Sequence, residues 1–284
     1  MHAFTAQAEH CGTHVHEGRA KPMLERSLDT LVGFAGDWHG NSSWAAIAIP
    51  ALRRAGVHTL FHVGDLGIWP GDTSFIDTVE YWAKLAELTI WVTPGNHEDY
   101  DKIDELFAIR PDEPAQLSEH IMLLPRGYRW EQSGRSFVSL GGAASVDYRD
   151  RTPGRSWWIQ EQILPSDVER ATSGGRADIL ITHEAPLDGT EAVAGIRRTN
   201  PQGWPAETLA YARAGQELIT TAAEVIRPAL HVHGHLHAPG EVEFSDGRRV
   251  YSMGMDFQSH NLAALNLTTM SWTWIDDGKV VSLR

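Results

Sequence analysis

Seven side chains able to bind a metal stand where apolar runs end, and their grouping sets the chemistry open to this chain. Asp37 and His39 follow the run Thr30–Ala35, and Asp65 follows Val57–Val63. Asn96 follows Leu88–Val92, His183 follows Asp178–Thr182, and His235 and His237 follow Ala229–His233. Two carboxylates, one amide and four imidazoles exceed the needs of one tetrahedral ion and suit two ions that share a ligand. Nitrogen and oxygen donors without a thiolate favour Mn, Fe, Zn or Co over Mg, Ca or Cu(I). His97, beside Asn96, adds an imidazole that can carry a proton near neutral pH. Each residue alone has a plainer reading, because a strand-end Asp usually caps a turn and an interior His is usually hydrogen-bonded. Their joint occurrence at five strand ends favours a site. Gly36, Gly64, Gly95 and Gly234 are expected to let the backbone turn sharply beside it. His231 and His233, inside the last run, are expected to be structural or to support the ligands.

These groups can meet only if the strands lie side by side with their carboxyl ends at one crevice, as in an open α/β sheet. The intervening segments supply the crossovers. Ser42 or Ser43 can cap a helix to about Ala55, with Trp44, Ile47, Ala48 and Leu52 at helical spacing. Asp72 can cap a second helix to about Glu87. Three strand–loop–helix units in succession predict a mostly parallel sheet with right-handed crossovers. Beyond Glu98 the pattern predicts strands at 119–124, 127–131 and 136–141 and a helix at 158–170. A polar loop from Pro186 to about Pro205 then leads into a helix ending near Ile226. Strands at 241–244, 248–253, 262–267 and 271–276 complete the chain, with Ser245-Asp246-Gly247 and Asp276-Asp277-Gly278 as hairpin turns. One catalytic domain over 29–284 is expected, after a mobile N-terminal extension, 1–28, that holds the cluster His10-Cys11-Gly12-Thr13-His14-Val15-His16.

The 284 residues are 42% hydrophobic and 21% charged, ordinary for a soluble globular protein, and long enough to bury a large core. Thirty-seven acidic against 24 basic residues give a net charge of −13. That balance speaks against extended nucleic-acid binding and against an anionic membrane surface. An acidic chain acting on an anionic substrate needs a local positive centre, which bound metal supplies. A single cysteine, Cys11, excludes an internal disulfide and suits the cytoplasm. No apolar run approaches the ~20 residues needed to span a bilayer.

Taken in order, Asp37-x-His39, Gly64-Asp65, Gly95-Asn96-His97-Glu98, His183 and Gly234-His235-x-His237 resemble the motifs of the calcineurin-like metallophosphoesterases. The resemblance spans about residues 30 to 240 and implies a four-layer αββα sandwich of two mixed sheets flanked by helices. It also implies that Asp37, His39 and His237 hold one divalent ion, that Asn96, His183 and His235 hold a second, and that Asp65 bridges them. By the same resemblance Asn96 and His97 contact the substrate phosphate, a metal-bridging hydroxide attacks, and His97 protonates the leaving group. Manganese is the ion expected first. Two ions ~3.5–4 Å apart suit an in-line displacement at phosphorus.

The resemblance leaves the substrate open. Gly64-Asp65-Leu66-Gly67-Ile68-Trp69 lacks the arginine-containing signatures of protein Ser/Thr phosphatases, which argues against that class. Gly141 to Asp147 resembles an element of small bacterial and phage members. Residues 126–155 hold six arginines and a net charge of +3, so Arg149, Arg151 or Trp157 could meet a phosphate or a base. A surface role for the arginines and a core role for Trp157 and Trp158 are the plainer alternatives. The reading reached is a hydrolase of small phosphoesters, diesters (cyclic nucleotides among the candidates) and/or monoesters, with diesters ahead. A nuclease would call for a longer basic groove, and a non-catalytic scaffold would have no use for the complete ligand set. Asp72 is a candidate to orient His97.

Overall fold

The computed structural model describes residues 28–275. The Cys11 cluster, the N-terminal extension apart from Leu28, and the Asp276-Asp277-Gly278 turn lie outside the described residues. In chain order the strands are β1 (Leu31–Ala35), β2 (Thr59–His62), β3 (Thr89–Val92), β4 (Ala115–Gln116), β5 (Ile121–Leu123), β6 (Tyr128–Gln132), β7 (Arg135–Leu140), β8 (Ile179–Thr182), β9 (Leu230–His233), β10 (Gly240–Glu243), β11 (Arg249–Ser252), β12 (Leu262–Asn266) and β13 (Ser271–Trp274). The helices are α1 (Ser42–Arg54), α2 (Ser74–Ala86), α3 (Tyr100–Phe107), α4 (Pro165–Thr172), α5 (Glu191–Thr199) and α6 (Ala206–Ile226).

Side chains alternate across a strand, and here both faces of the central strands are apolar, so each needs cover on two sides. Val32 and Phe34 of β1 join Phe61, Ile179, Ile181, Leu230 and Val232 in a layer between two sheets. Ala35 and Leu60 face the other way, onto Trp44, Ile49 and Leu52 of α1 and Phe75 and Val79 of α2. On the second sheet Val138 and Leu180 meet Val168 of α4 and Ile219 and Ile226 of α6. The result is the αββα sandwich. One sheet runs β13-β12-β1-β2-β3-β5-β4 and the other β10-β11-β9-β8-β7-β6. β1, β2, β3 and β5 are mutually parallel, as are β11, β9, β8 and β7. Antiparallel strands flank both sets, because the tail hairpins divide: β10–β11 extends one sheet and β12–β13 the other.

Several expected elements shift for local reasons. The cap of α1 is Asn41, whose side chain accepts the Trp44 N–H at 3.0 Å. The expected helix over 158–170 is a short 3₁₀ turn at 159–161 followed by α4. Pro165 forces the preceding Leu164 into an extended conformation and serves as the first helical residue. α3 is an addition to the expected elements, with Asp99 capping it by accepting the Lys102 N–H at 3.2 Å. α5 occupies part of the expected loop before Pro205. Its Thr190 cap and its Val193–Ile196 spacing are the local signals, obscured by Gly189 and Gly195. α5 packs through Val193 and Ile196 on Ala185, Leu236 and Ala238, just past the ends of β8 and β9.

The layer between the sheets centres on Phe61, whose ring lies 5.4–5.7 Å from those of Phe34, Trp130 and Phe137. It is fully buried. Phe61→Ala is expected to destabilise the fold by about 3–5 kcal/mol, read from the denaturant midpoint. A loss well below 1 kcal/mol would mean that this layer does not tie the sheets together.

Candidate active site

Parallel packing brings the carboxyl ends of β1, β2 and β3 in one sheet toward those of β8 and β9 in the other. Short bonds then lock the loops. The Asp65 carbonyl accepts the N–H groups of Trp38 and His39 at 3.0 and 2.8 Å, joining the first two loops. The buried Glu98 carboxylate accepts the Leu66 N–H at 2.7 Å and the Gly95 N–H at 3.0 Å, joining the second and third. Four of the seven candidate ligands sit in the left-handed region: His39 (φ 46°), Asp65 (φ 53°), His235 (φ 72°) and His237 (φ 49°). Such backbone costs about 1–2 kcal/mol per residue and is concentrated at functional sites. Of the four flanking glycines only Gly64 has a positive φ (112°). The others are needed for close approach: a methyl at Gly95 would overlap Asp65 Oδ1, and one at Gly234 would overlap Asp37 Oδ1.

All seven candidate ligands converge, in two groups that meet at Asp65. Donor atoms of Asp37, His39, Asp65 and His237 lie within 4.8 Å of one another. His237 Nε2 is 3.0 Å from Asp37 Oδ2, and His39 Nε2 is 3.4 Å from Asp65 Oδ2. On the other side His183 Nε2 is 3.2 Å from Asp65 Oδ1 and 3.0 Å from Asn96 Oδ1. The His235 ring lies 5.2 Å from that of His183. Asp65, 1% exposed, therefore turns one oxygen to each group.

The donor chemistry fits a cation. His183 Nδ1 lies 2.8 Å from the Val63 carbonyl, which can only accept, so Nδ1 carries the proton. In neutral His183 the Nε2 lone pair then faces two more acceptors, the oxygens of Asn96 and Asp65. Asn96 cannot relieve this by flipping, since its Nδ2 donates to Ser145 Oγ at 2.9 Å and Ser145 Oγ donates to Glu161 Oε2 at 2.7 Å. Three acceptors around one point require a positive centre among them. His235 Nε2 is buried without a hydrogen-bond partner, which also suits a ligand atom. Burial opposes an imidazolium at His183, but Asp65 and Asp37 raise its pKa to about 10. At His39 burial is likewise outweighed by Asp65, and the pKa rises to about 9. Burial pushes the Asp65 carboxyl up, yet His183 and His97 hold it well below the usual range.

Several positioning groups carry no signal in the sequence. Glu161 collects the Ser145 N–H (2.6 Å), the Ser145 hydroxyl, Trp157 Nε1 (3.0 Å) and the Tyr211 hydroxyl (3.1 Å). Burial raises its pKa to about 7. Asn261 Oδ1 accepts from the indoles of Trp38 and Trp44 at 3.1 and 2.8 Å, and its Nδ2 donates to the Gly254 carbonyl at 2.7 Å. Asp256 accepts Asn41 Nδ2 at 2.6 Å and comes within 3.7 Å of His39 Nδ1. A single Asn or Asp in a tail loop has no spacing that would reveal these roles. His231 bonds Thr182 Oγ1 through Nε2 at 2.9 Å, and burial lowers the His233 pKa to about 4, so both are neutral core residues.

His97 has a partner other than the one expected. Asp72 is exposed and accepts the N–H and hydroxyl of Ser74 ahead of α2. Arg151 instead faces the His97 ring, Nη2 lying 2.7 Å from Nε2, while its Nε is 2.8 Å from Asp147 Oδ1. Burial lowers the His97 pKa and Arg151 adds to it, against the pull of Asp65. The His97 N–H donates to Asp65 Oδ1 at 2.8 Å. Arg149 is exposed and paired with Glu207. Arg126, Arg129 and Arg135 are spent on backbone carbonyls, and Trp158 is in the core. Asn96, His97, Arg151, His235 and His237 line one cavity of about 610 Å³.

The family model for calcineurin-like phosphoesterases matches residues 30–239. The fold is similar to TT1561 of Thermus thermophilus (TM-score 0.53, 11% identity), covering 86% of this chain and 96% of that one. A dimetal phosphatase from Danio rerio aligns over 83% of this chain and 92% of its own (TM-score 0.49, 12% identity). No curated protein sequence matches the chain.

The Glu161–Ser145–Asn96 chain makes a testable claim about positioning. Ser145→Ala removes the acceptor that aims the Asn96 amide. It is expected to weaken Mn²⁺ binding about 10–100-fold in a calorimetric titration, with the fold intact. Unchanged affinity would show that the amide is held by other means.

Proposed function

Because the chain belongs to the calcineurin-like phosphoesterase family, and is thus a metal-dependent phosphoester hydrolase, we propose that it cleaves small phosphoesters, diesters such as cyclic nucleotides foremost. Two divalent ions, manganese first among the candidates, would serve the reaction. The carrying observation is the buried Asp65 carboxylate, with one oxygen directed at each of two donor groups. Asp37, His39 and His237 would hold one ion, and Asn96, His183 and His235 the other, with Asp65 common to both. When bound, the ions supply an activated water and offset charge on the phosphate oxygens.

The remaining roles belong to the chain itself. Arg151, steadied by Asp147, offers two N–H groups to a phosphate oxygen pair. An anion placed there competes with His97 for the guanidinium and favours the protonated ring, so that Nε2 can give its proton to the departing oxygen. The cavity is bounded by α5 and α6, which suits a small ester rather than a continuous strand of nucleic acid. A single cysteine fits work in the cytoplasm. Among the described residues, no helix is long and apolar enough to cross a membrane.

A panel of p-nitrophenyl phosphate, bis-p-nitrophenyl phosphate, 2′,3′- and 3′,5′-cyclic nucleotides and single-stranded DNA, with added Mn²⁺, tests the substrate class. Cleavage of the small diesters but not of DNA is expected; preference for DNA would replace the proposal with a nuclease. His97→Gln should lower turnover of alkyl esters about 10²–10⁴-fold while metal content is retained. A wild-type rate in that variant would remove His97 as the acid. Asp65→Ala should lose the ion pair, and elemental analysis finding two ions per chain would contradict a shared ligand.

A further inference from the structure

The cavity extends well past the histidines. Beyond Asn96, His97, His235 and His237 it runs between α5 and the start of α6, where Ile196, Trp204, Leu209, Ala210 and Leu236 form its walls. A phosphoryl group fills only a small part of about 610 Å³, a volume typical of sites that bury a whole organic ligand. Among the described residues, the only carboxylate in the lining is Asp147, already paired with Arg151. In a chain of net charge −13 this is a neutral-to-basic recess, its apolar side chains interspersed with Arg197, Asn200, Gln202, Arg213 and Gln216.

Trp204 is held in place by its neighbours. Asn200 ends α5 in the left-handed region (φ 41°). Its amide brackets the Trp204 backbone, accepting the N–H at 2.9 Å and donating to the carbonyl at 3.0 Å. The indole is partly exposed. Arg197 also lines the recess. It donates to the carbonyls of Ala185, Pro186 and Leu187, and its buried Nε has no acceptor.

We propose that this recess is an ester-group subsite for a flat, uncharged heteroaromatic group, the base of a nucleoside phosphoester, stacked on Trp204. The inference rests on the reading that the histidine end handles the phosphate. It makes α5 and the α5–α6 connection the selective part of the enzyme. Small alkyl phosphodiesters would leave the recess to water and forgo the contact.

Two diesters with the same leaving group isolate the effect. In p-nitrophenyl thymidine 5′-phosphate and methyl p-nitrophenyl phosphate, water adds to phosphorus and the bond to p-nitrophenolate breaks; only the retained ester differs. The Mn²⁺-loaded wild type is expected to favour the thymidine ester about tenfold or more in kcat/KM. Trp204→Ala should bring that ratio toward one, and Trp204→Phe should keep most of it. A wild-type ratio near one, or a ratio unmoved in Trp204→Ala, would overturn the subsite while leaving the phosphoesterase reading in place. Calorimetry with thymidine 5′-phosphate and methyl phosphate separates the opposite failure. If no ester is cleaved, yet the nucleotide binds more tightly and loses that advantage in Trp204→Ala, the subsite stands and the phosphoesterase reading falls. Equal binding of both ligands with no cleavage would remove both.

Discussion

The Asp65 carboxylate is the constraint around which the structure is arranged. It is buried, its two oxygens face His183 and His39, and its backbone carbonyl holds the loop that carries His39. A charge so placed is costly unless it is surrounded by compensating groups. The compensation comes from both sheets: imidazoles approach it from the ends of β1 and β8, and the His97 N–H from the end of β3. Removing the carboxylate would leave the buried His183 and the partly exposed His39 without the charge that raises their pKa values.

Such a cluster is crowded, and the surrounding structure holds its members in place. Left-handed backbone at four candidate ligands, and glycines against which Asp37 and Asp65 press, leave little room for movement. Outer hydrogen bonds complete the restraint. Glu161 holds Ser145 and through it Asn96, Glu98 ties two loops together, and Asn261 anchors the indoles beside Asp37. Strain and crowding of this kind persist only where a rigid scaffold over-determines them. Here the scaffold is the three apolar layers of the sandwich.

The site divides into a shared and a particular part. Its histidine end is formed by loops directly after strands, so it inherits the rigidity of the sheets. The far end is formed by α5 and the turn into α6, which pack on the strand ends through a few small contacts. Loops and short helices at such a rim can vary without disturbing the sheets.

Donor types and their place after apolar runs are local properties, so the sequence alone determined the seven candidate ligands, the order of most strands and the two-sheet reading carried by the resemblance. Hairpin chemistry at Ser245-Asp246-Gly247 was equally local, and β10 and β11 pair there. Local pattern was weaker at α3 and α5, where capping residues were present but glycine and polar neighbours masked the helical period. The tertiary structure alone decided the rest. Whether Asp65 faces one donor group or two depends on how the two sheets abut. Choosing Arg151 over Asp72 as the partner of His97 depends on a loop more than 50 residues away in the chain folding back over β3. The recess at Trp204 exists only because α5 and α6 close over the end of the second sheet. Each of these is a contact between distant segments, set by packing of both faces at once, and no spacing along a single segment encodes it.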